Sequence, residues 1–175
     1  MASLPVVVGD NMDWKKGERN APYGHKLSPV LSYIGFELET VTPTCIQGRF
    51  VVSERSAQAY GVLHGGISAF IAESLGSFGA SLASGLQKVA GVELSISHLQ
   101  PGYIGLEIVA TATPIHIGRR LHVWEIKFTS AASSPNGSSK TPEPGLIAVS
   151  KLTVTLLPSH SATKSEDDKR ISSKL

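Results

Sequence analysis

Between Arg55 and Lys88 the chain carries a single Asp, Glu, Lys or Arg, and it is Glu73. A carboxylate among apolar neighbours is costly unless a partner satisfies it or a reaction uses it. Just over two helical turns before it stands His64-Gly65-Gly66, at the point where a helix would begin with backbone amides that have no intrahelical partner. Amide donors and an acid beside one another suggest chemistry on a carbonyl. The donors would meet a developing oxyanion, and the carboxylate would attack or activate water. A buried structural carboxylate, paired with His64 or a backbone amide, is the bland alternative.

The element that must carry these groups reads as a helix. Ile67, Phe70, Ile71, Ser74, Leu75, Phe78 and Leu82 follow the spacing of one helical face. The other faces carry Ala69, Ala72, Gly76, Gly79, Ala80 and Ala83 in place of charge, so the helix is expected to be buried nearly all round. It should end near Gly85. Before it, residues 29–33 read as a short helix, residues 35–41 and 44–52 as strands, and residues 56–61 as a loop. Four strand-like runs follow: Val92, Leu94 and Ile96 in alternation; residues 104–115, interrupted by Gly105 and closed near Pro114; residues 121–130; and residues 146–157. Residues 131–145 read as a long polar loop. The expected organisation is a flexible arm over residues 1–27, one domain over residues 28–157, and a flexible tail over residues 158–175. Strands and helices do not alternate, so the class is α+β, with an antiparallel sheet wrapped around one long central helix.

Composition narrows the function. A chain of 175 residues suits one domain with a real core. The formal net charge of +2, with no strongly basic run, argues against a nucleic-acid partner. Cys45 is the one cysteine, so no internal disulfide is expected, and it reads as a small core residue. No apolar run approaches the ~20 residues of a membrane span, and no secretory leader is expected. His25, His64, His98, His116, His122 and His160 show no metal-ligand spacing, and no P-loop is present.

The segments around Gln58, His64-Gly65-Gly66, residues 67–74, residues 89–99 and residues 123–126 together resemble the hotdog-fold thioesterases. The likeness is to the branch acting on aryl-CoA and phenylacetyl-CoA-like esters, and within it to the plant peroxisomal enzymes for 1,4-dihydroxy-2-naphthoyl-CoA in phylloquinone synthesis. The resemblance implies a hotdog fold and hydrolysis of an acyl-CoA thioester, with coenzyme A as part of the substrate and no separate cofactor. Glu73 is then the nucleophile or general base, Gly65 the oxyanion donor, and His64 and Gln58 the groups that orient water or carboxylate. Ser77, one turn beyond Glu73, would face the same pocket, and His98 would point at the acyl ring. Arg119 and Arg120, in a turn that opens a strand, and Ser150 and Lys151 in the last strand, resemble contacts to the CoA phosphates. The alternatives are loop polarity for Gln58, a satisfied strand-end histidine for His98, a small packing residue for Ser77, a solvated turn for Arg119 and Arg120, and an ordinary exposed strand residue for Lys151.

The resemblance also implies a homodimer with a continuous sheet, each site built from the Gly65 turn of one chain and Glu73 of its neighbour, and a dimer of dimers beyond it. The unpaired strand edges of a sheet wrapped around one helix point the same way. Ser173-Lys174-Leu175 matches the address read by the peroxisomal import receptor at a free C-terminus. An α/β-hydrolase fits poorly, since Gly76-Ser77-Phe78-Gly79 lacks the spacing of a nucleophile elbow. A thioesterase for benzoyl or medium- to long-chain acyl groups, and a non-catalytic acyl-CoA binding protein, remain as alternatives.

Overall fold

Local chemistry sets the first elements in the computed structural model, which describes residues 7–8, 28–131 and 145–158. Ser28 caps helix α1 (Pro29–Tyr33) by accepting from the Val30 N–H, and Pro29 occupies the first turn, where an N–H is not needed. Strands β2 (Glu37–Thr42) and β3 (Cys45–Val51) form a hairpin closed by Thr42, whose hydroxyl oxygen accepts from the Cys45 N–H at 2.9 Å. Helix α2 (Gly65–Ala83) follows, then β4 (Val89–His98), β5 (Glu107–Ile117), β6 (Leu121–Ser130) and β7 (Leu146–Leu156). The first strand in chain order, β1 (Val7–Val8), pairs parallel with β2, so two residues of the expected arm extend the sheet. All other pairings are antiparallel. The sheet order is β1-β2-β3-β5-β6-β7-β4, which leaves β4 on one edge.

The sheet and α2 meet along one face of the helix. Ile71, Leu75, Phe78 and Leu82 are buried there with Ile108, Ala110 and Ala112 of β5, Trp124, Ile126 and Phe128 of β6, and Leu152 and Val154 of β7. In β5 and β6 buried and partly exposed positions alternate, as period-two strands with one covered face require. Two glycines set the helix-to-sheet distance. A Cβ at Gly79 would stand 2.6 Å from ring carbons of Trp124, and one at Gly76 would stand 2.5 Å from a Leu152 methyl. The helix therefore lies closer to the large side chains of β6 and β7 than any other residue at those positions allows.

Three features depart from the sequence reading. The helix is not buried all round within one chain: Ile67, Phe70, Glu73, Ser74 and Ser77 are only half-buried. Strand β5 starts later than expected, because Gly105 takes φ +91° and the Leu106 N–H closes a turn onto the Tyr103 carbonyl. It also runs past Pro114, where a register shift between Pro114 and His116 accommodates the proline. The alternation of Val92, Leu94 and Ile96 is broken, because β4 shifts register between Gly91 and Glu93, and Val92 is exposed. The 132–144 part of the expected loop and the 159–175 part of the tail lie outside the described residues.

Candidate active site

At the start of α2, His64 is the N-cap, and its Nδ1 accepts from the Gly66 N–H at 2.9 Å. An accepting Nδ1 carries no proton, so the neutral ring holds its proton on Nε2. Glycine at 66 makes this cap possible, since a Cβ there would stand 3.1 Å from the same nitrogen. The His64 carbonyl accepts from the N–H groups of Ile67, at 2.9 Å, and Ser68, at 3.2 Å. Of the first four helix amides, that leaves the Gly65 N–H without a partner among the described residues. It belongs to the same peptide as the His64 carbonyl, so the two bonds on that carbonyl polarise it. The positive end of the helix dipole adds to the effect.

His98, at the end of β4, packs against this turn. Its Nε2 lies 2.8 Å from the Ser68 hydroxyl, which donates its own proton to the Gly65 carbonyl at 2.8 Å. With that proton placed, His98 is the donor to Ser68. A Cβ at Gly65 would meet His98 Cε1 at 3.2 Å. Glycine at 65 is thus accounted for by the neighbouring imidazole. Ser68 is fully buried and was missed by the sequence reading; an inward serine three residues after Gly65 gave no signal until β4 brought His98 to it.

Gln58 sits in the turn before the helix, where its Oε1 accepts from the Tyr60 N–H at 3.1 Å. Gln58, His64, Gly65 and His98 share the wall of a pocket of about 580 Å³, together with Leu99 and Ile147. Glu73 is not on that wall. Eight residues at 1.5 Å each place it roughly 12 Å further along the helix axis and about 80° around it. The donor turn and the acid are therefore not side by side within one chain. Glu73 is half-buried and faces the β4 edge, and the Ser77 hydroxyl donates to its Oε1 at 3.1 Å. Ser77 is thus a partner of Glu73, and like Glu73 it is not on the pocket wall.

The basic candidates lie elsewhere. Arg119 and Arg120 are exposed in the β5–β6 turn. Leu121, where that turn ends, pairs with Thr155, whereas Phe128 pairs with Ala148 beside the pocket residue Ile147. Those seven residues of strand span about 23 Å, so the turn is at the far end of the sheet from Gly65 of the same chain. Lys151 projects from the sheet face opposite the helix, near Glu93 at 3.8 Å. Ser150 does not fit its expected role, because it is turned into the core and its hydroxyl donates to the Ser95 carbonyl at 2.8 Å. The targeting candidates Ser173, Lys174 and Leu175 lie outside the described residues.

The family model of the thioesterase superfamily matches residues 60–133, which hold the His64 turn, α2, β4, β5 and β6. The chain is 36% identical over 150 residues to 1,4-dihydroxy-2-naphthoyl-CoA thioesterase 2 of Arabidopsis thaliana, covering 83% of this chain and 92% of that protein. It is 38% identical over 97 residues to the 1,4-dihydroxy-2-naphthoyl-CoA hydrolase of Listeria monocytogenes, covering 55% and 78% of the two chains. Among solved structures, a thioesterase from Haemophilus influenzae is similar with a TM-score of 0.61 and 31% identity, over 86% of this chain and 99% of that one. A helix wrapped by an antiparallel sheet, with an amide-bearing turn at its start and one acid further along, is in this chain the framework of the hotdog-fold thioesterase superfamily, to which the chain belongs.

Proposed function

We propose that the chain hydrolyses 1,4-dihydroxy-2-naphthoyl-CoA to the free acid and coenzyme A, in the phylloquinone pathway and in the peroxisome. The observation that carries the reading is the unpartnered, polarised Gly65 N–H on the wall of a pocket whose other residues include Leu63, Leu99, Pro101 and Ile147. Such a wall suits a flat aromatic acyl group, and the donor suits its thioester oxygen. The names of the Arabidopsis and Listeria relatives support the same substrate.

In this reading the thioester carbonyl oxygen accepts from Gly65. Glu73 either takes a proton from the attacking water, or attacks the carbonyl carbon to give a mixed anhydride that water then hydrolyses to the free acid. In both cases the carbon–sulfur bond breaks, and the thiolate takes up a proton that derives from the water to leave as CoA thiol. The ~12 Å between Gly65 and Glu73 means that both act on one carbonyl only if Glu73 comes from a second copy. The free edge of β4 offers the seam: two copies pairing antiparallel there make a continuous sheet and place their helices head to tail. The same two-fold relation carries the Arg119-Arg120 turn of each copy towards the Gly65 end of the other, where CoA phosphates would need cations. A dimer of dimers extends this arrangement.

The test is a hydrolysis panel that follows thiol release from dihydroxynaphthoyl-, benzoyl- and fatty acyl-CoA. The reading requires kcat/KM for the naphthoyl ester to exceed the others by at least about tenfold. A preference for benzoyl or fatty acyl esters would reassign the acyl group, and binding without turnover would make the chain a CoA-ester carrier. For location, a tagged chain with Ser173-Lys174-Leu175 at its free end should enter peroxisomes through the import receptor and stay cytosolic without them.

A further inference from the structure

We infer that Gly91 is a positioning residue for Glu73: the missing side chain at this point of the β4 edge is the niche that holds the carboxylate. The inference rests on the reading of Glu73 given above. A Cβ at Gly91 would stand 2.5 Å from Glu73 Oε1 and 3.1 Å from both Cδ and Oε2. The whole carboxylate, and not one oxygen, therefore lies against the Gly91 backbone. Ser77 bonds Oε1 from the helix side at 3.1 Å, so the group is held between a hydroxyl on α2 and a bare backbone on β4.

The sheet is irregular at the same point. Gly91 pairs with Val154 and Glu93 with Thr153, so Val92 is the extra residue of a bulge, and it is 59% exposed. Bulges re-aim the backbone beside a functional group, and a glycine within a strand marks a close approach. No positive φ accounts for the glycine, since Gly91 is absent from the residues with left-handed backbone. It is also exposed, so core packing does not demand it. Alanine at 91 is thus compatible with the strand and would be favoured there on backbone grounds. What it displaces is the Glu73 carboxylate.

The test separates position from stability. Gly91→Ala and Gly91→Val are made in the full chain, and kcat, KM and Tm are measured with an aryl-CoA ester, alongside Glu73→Gln. The inference expects kcat to fall at least tenfold in Gly91→Ala and further in Gly91→Val, with KM within about threefold of the parent and Tm unchanged or higher. Gly91→Ala that keeps kcat within twofold, while Glu73→Gln is inactive, overturns the inference and leaves the role of Glu73 intact. A fall in kcat matched by a fall in Tm, or a loss in KM alone, also overturns it, because either is what a merely structural glycine would give. Activity retained in Glu73→Gln removes the reading of Glu73 itself, and the positioning role with it.

Discussion

Replacing Gly65 by proline takes away the N–H itself and adds a Cβ 3.2 Å from His98 Cε1, a contact that a shift of a few tenths of an ångström in that ring relieves, which makes it the sharpest probe at the scale of single residues. Proline is favoured at the first position of a helix, and His64, at φ −69° and ψ 126°, already has the extended backbone that a residue before proline needs. The His64 cap onto Gly66 is untouched. Gly65→Pro is therefore expected to fold and to lose about 10²–10³-fold in kcat, the usual effect of removing an oxyanion donor, as read by thiol release and circular dichroism. Glu73→Gln is expected to lower kcat by about 10²–10⁴-fold while leaving CoA-ester binding, measured by calorimetry, close to that of the parent. Both groups were legible in the sequence because they stand out from it: a lone acid on an uncharged helix and a glycine pair after histidine. Ser68 and Gly91 were not, since a small residue that acts across a tertiary contact has no signature until its neighbour is known. Gly91 stands just before the alternating run of Val92, Leu94 and Ile96, and only the structure puts it inside a strand.

At the scale of elements, the helix–sheet contact and the β5–β6 hairpin make separate predictions. Gly79→Ala gains about 1 kcal/mol in helix propensity. It also forces a Cβ to within 2.6 Å of the rigid, fully buried Trp124 ring. Overpacking of that kind typically costs about 1–3 kcal/mol, so we expect a net loss of stability in urea unfolding, with Tm lowered by several degrees. His122, at the start of β6, is 1% exposed and its Nδ1 has no hydrogen-bond partner among the described residues. Burial pushes its pKa below the ordinary histidine range, against a bond with the Gly118 backbone that raises it and with help from nearby His116. The unfolded chain then binds this proton more readily than the folded one. The stability tied to neutral His122 is present above about pH 6.5 and is lost as pH falls below it. Tm should decline between pH 7 and pH 5, and His122→Leu should flatten that decline. The limits of α1 and β6 agree with the sequence reading because proline, a capping serine and regular alternation mark them locally. Those of β5 do not, because the turn at Gly105 and the bulge at Pro114 are settled by pairing with neighbouring strands.

For the whole molecule, the separation of Gly65 and Glu73 is what the proposed assembly answers. One helix does not bring both to one carbonyl, and in the assembly proposed above the edge strand β4, with its exposed Val92, is the seam for a second copy. Sedimentation should accordingly find no stable monomer at micromolar concentration. The sequence reading expects this arrangement from family resemblance, and the helix rise is what the proposal of a shared site rests on. The most direct measurement mixes Gly65→Pro chains with Glu73→Gln chains, each inactive alone, under conditions where subunits exchange. A hybrid dimer then holds one site with an intact donor and an intact acid, and one site with neither. After random exchange half of the dimers are hybrid, so activity should return to about a quarter of the wild-type value per chain. Folded parents that exchange subunits, as followed by mass spectrometry, and yet recover no activity would contradict a site shared between two copies.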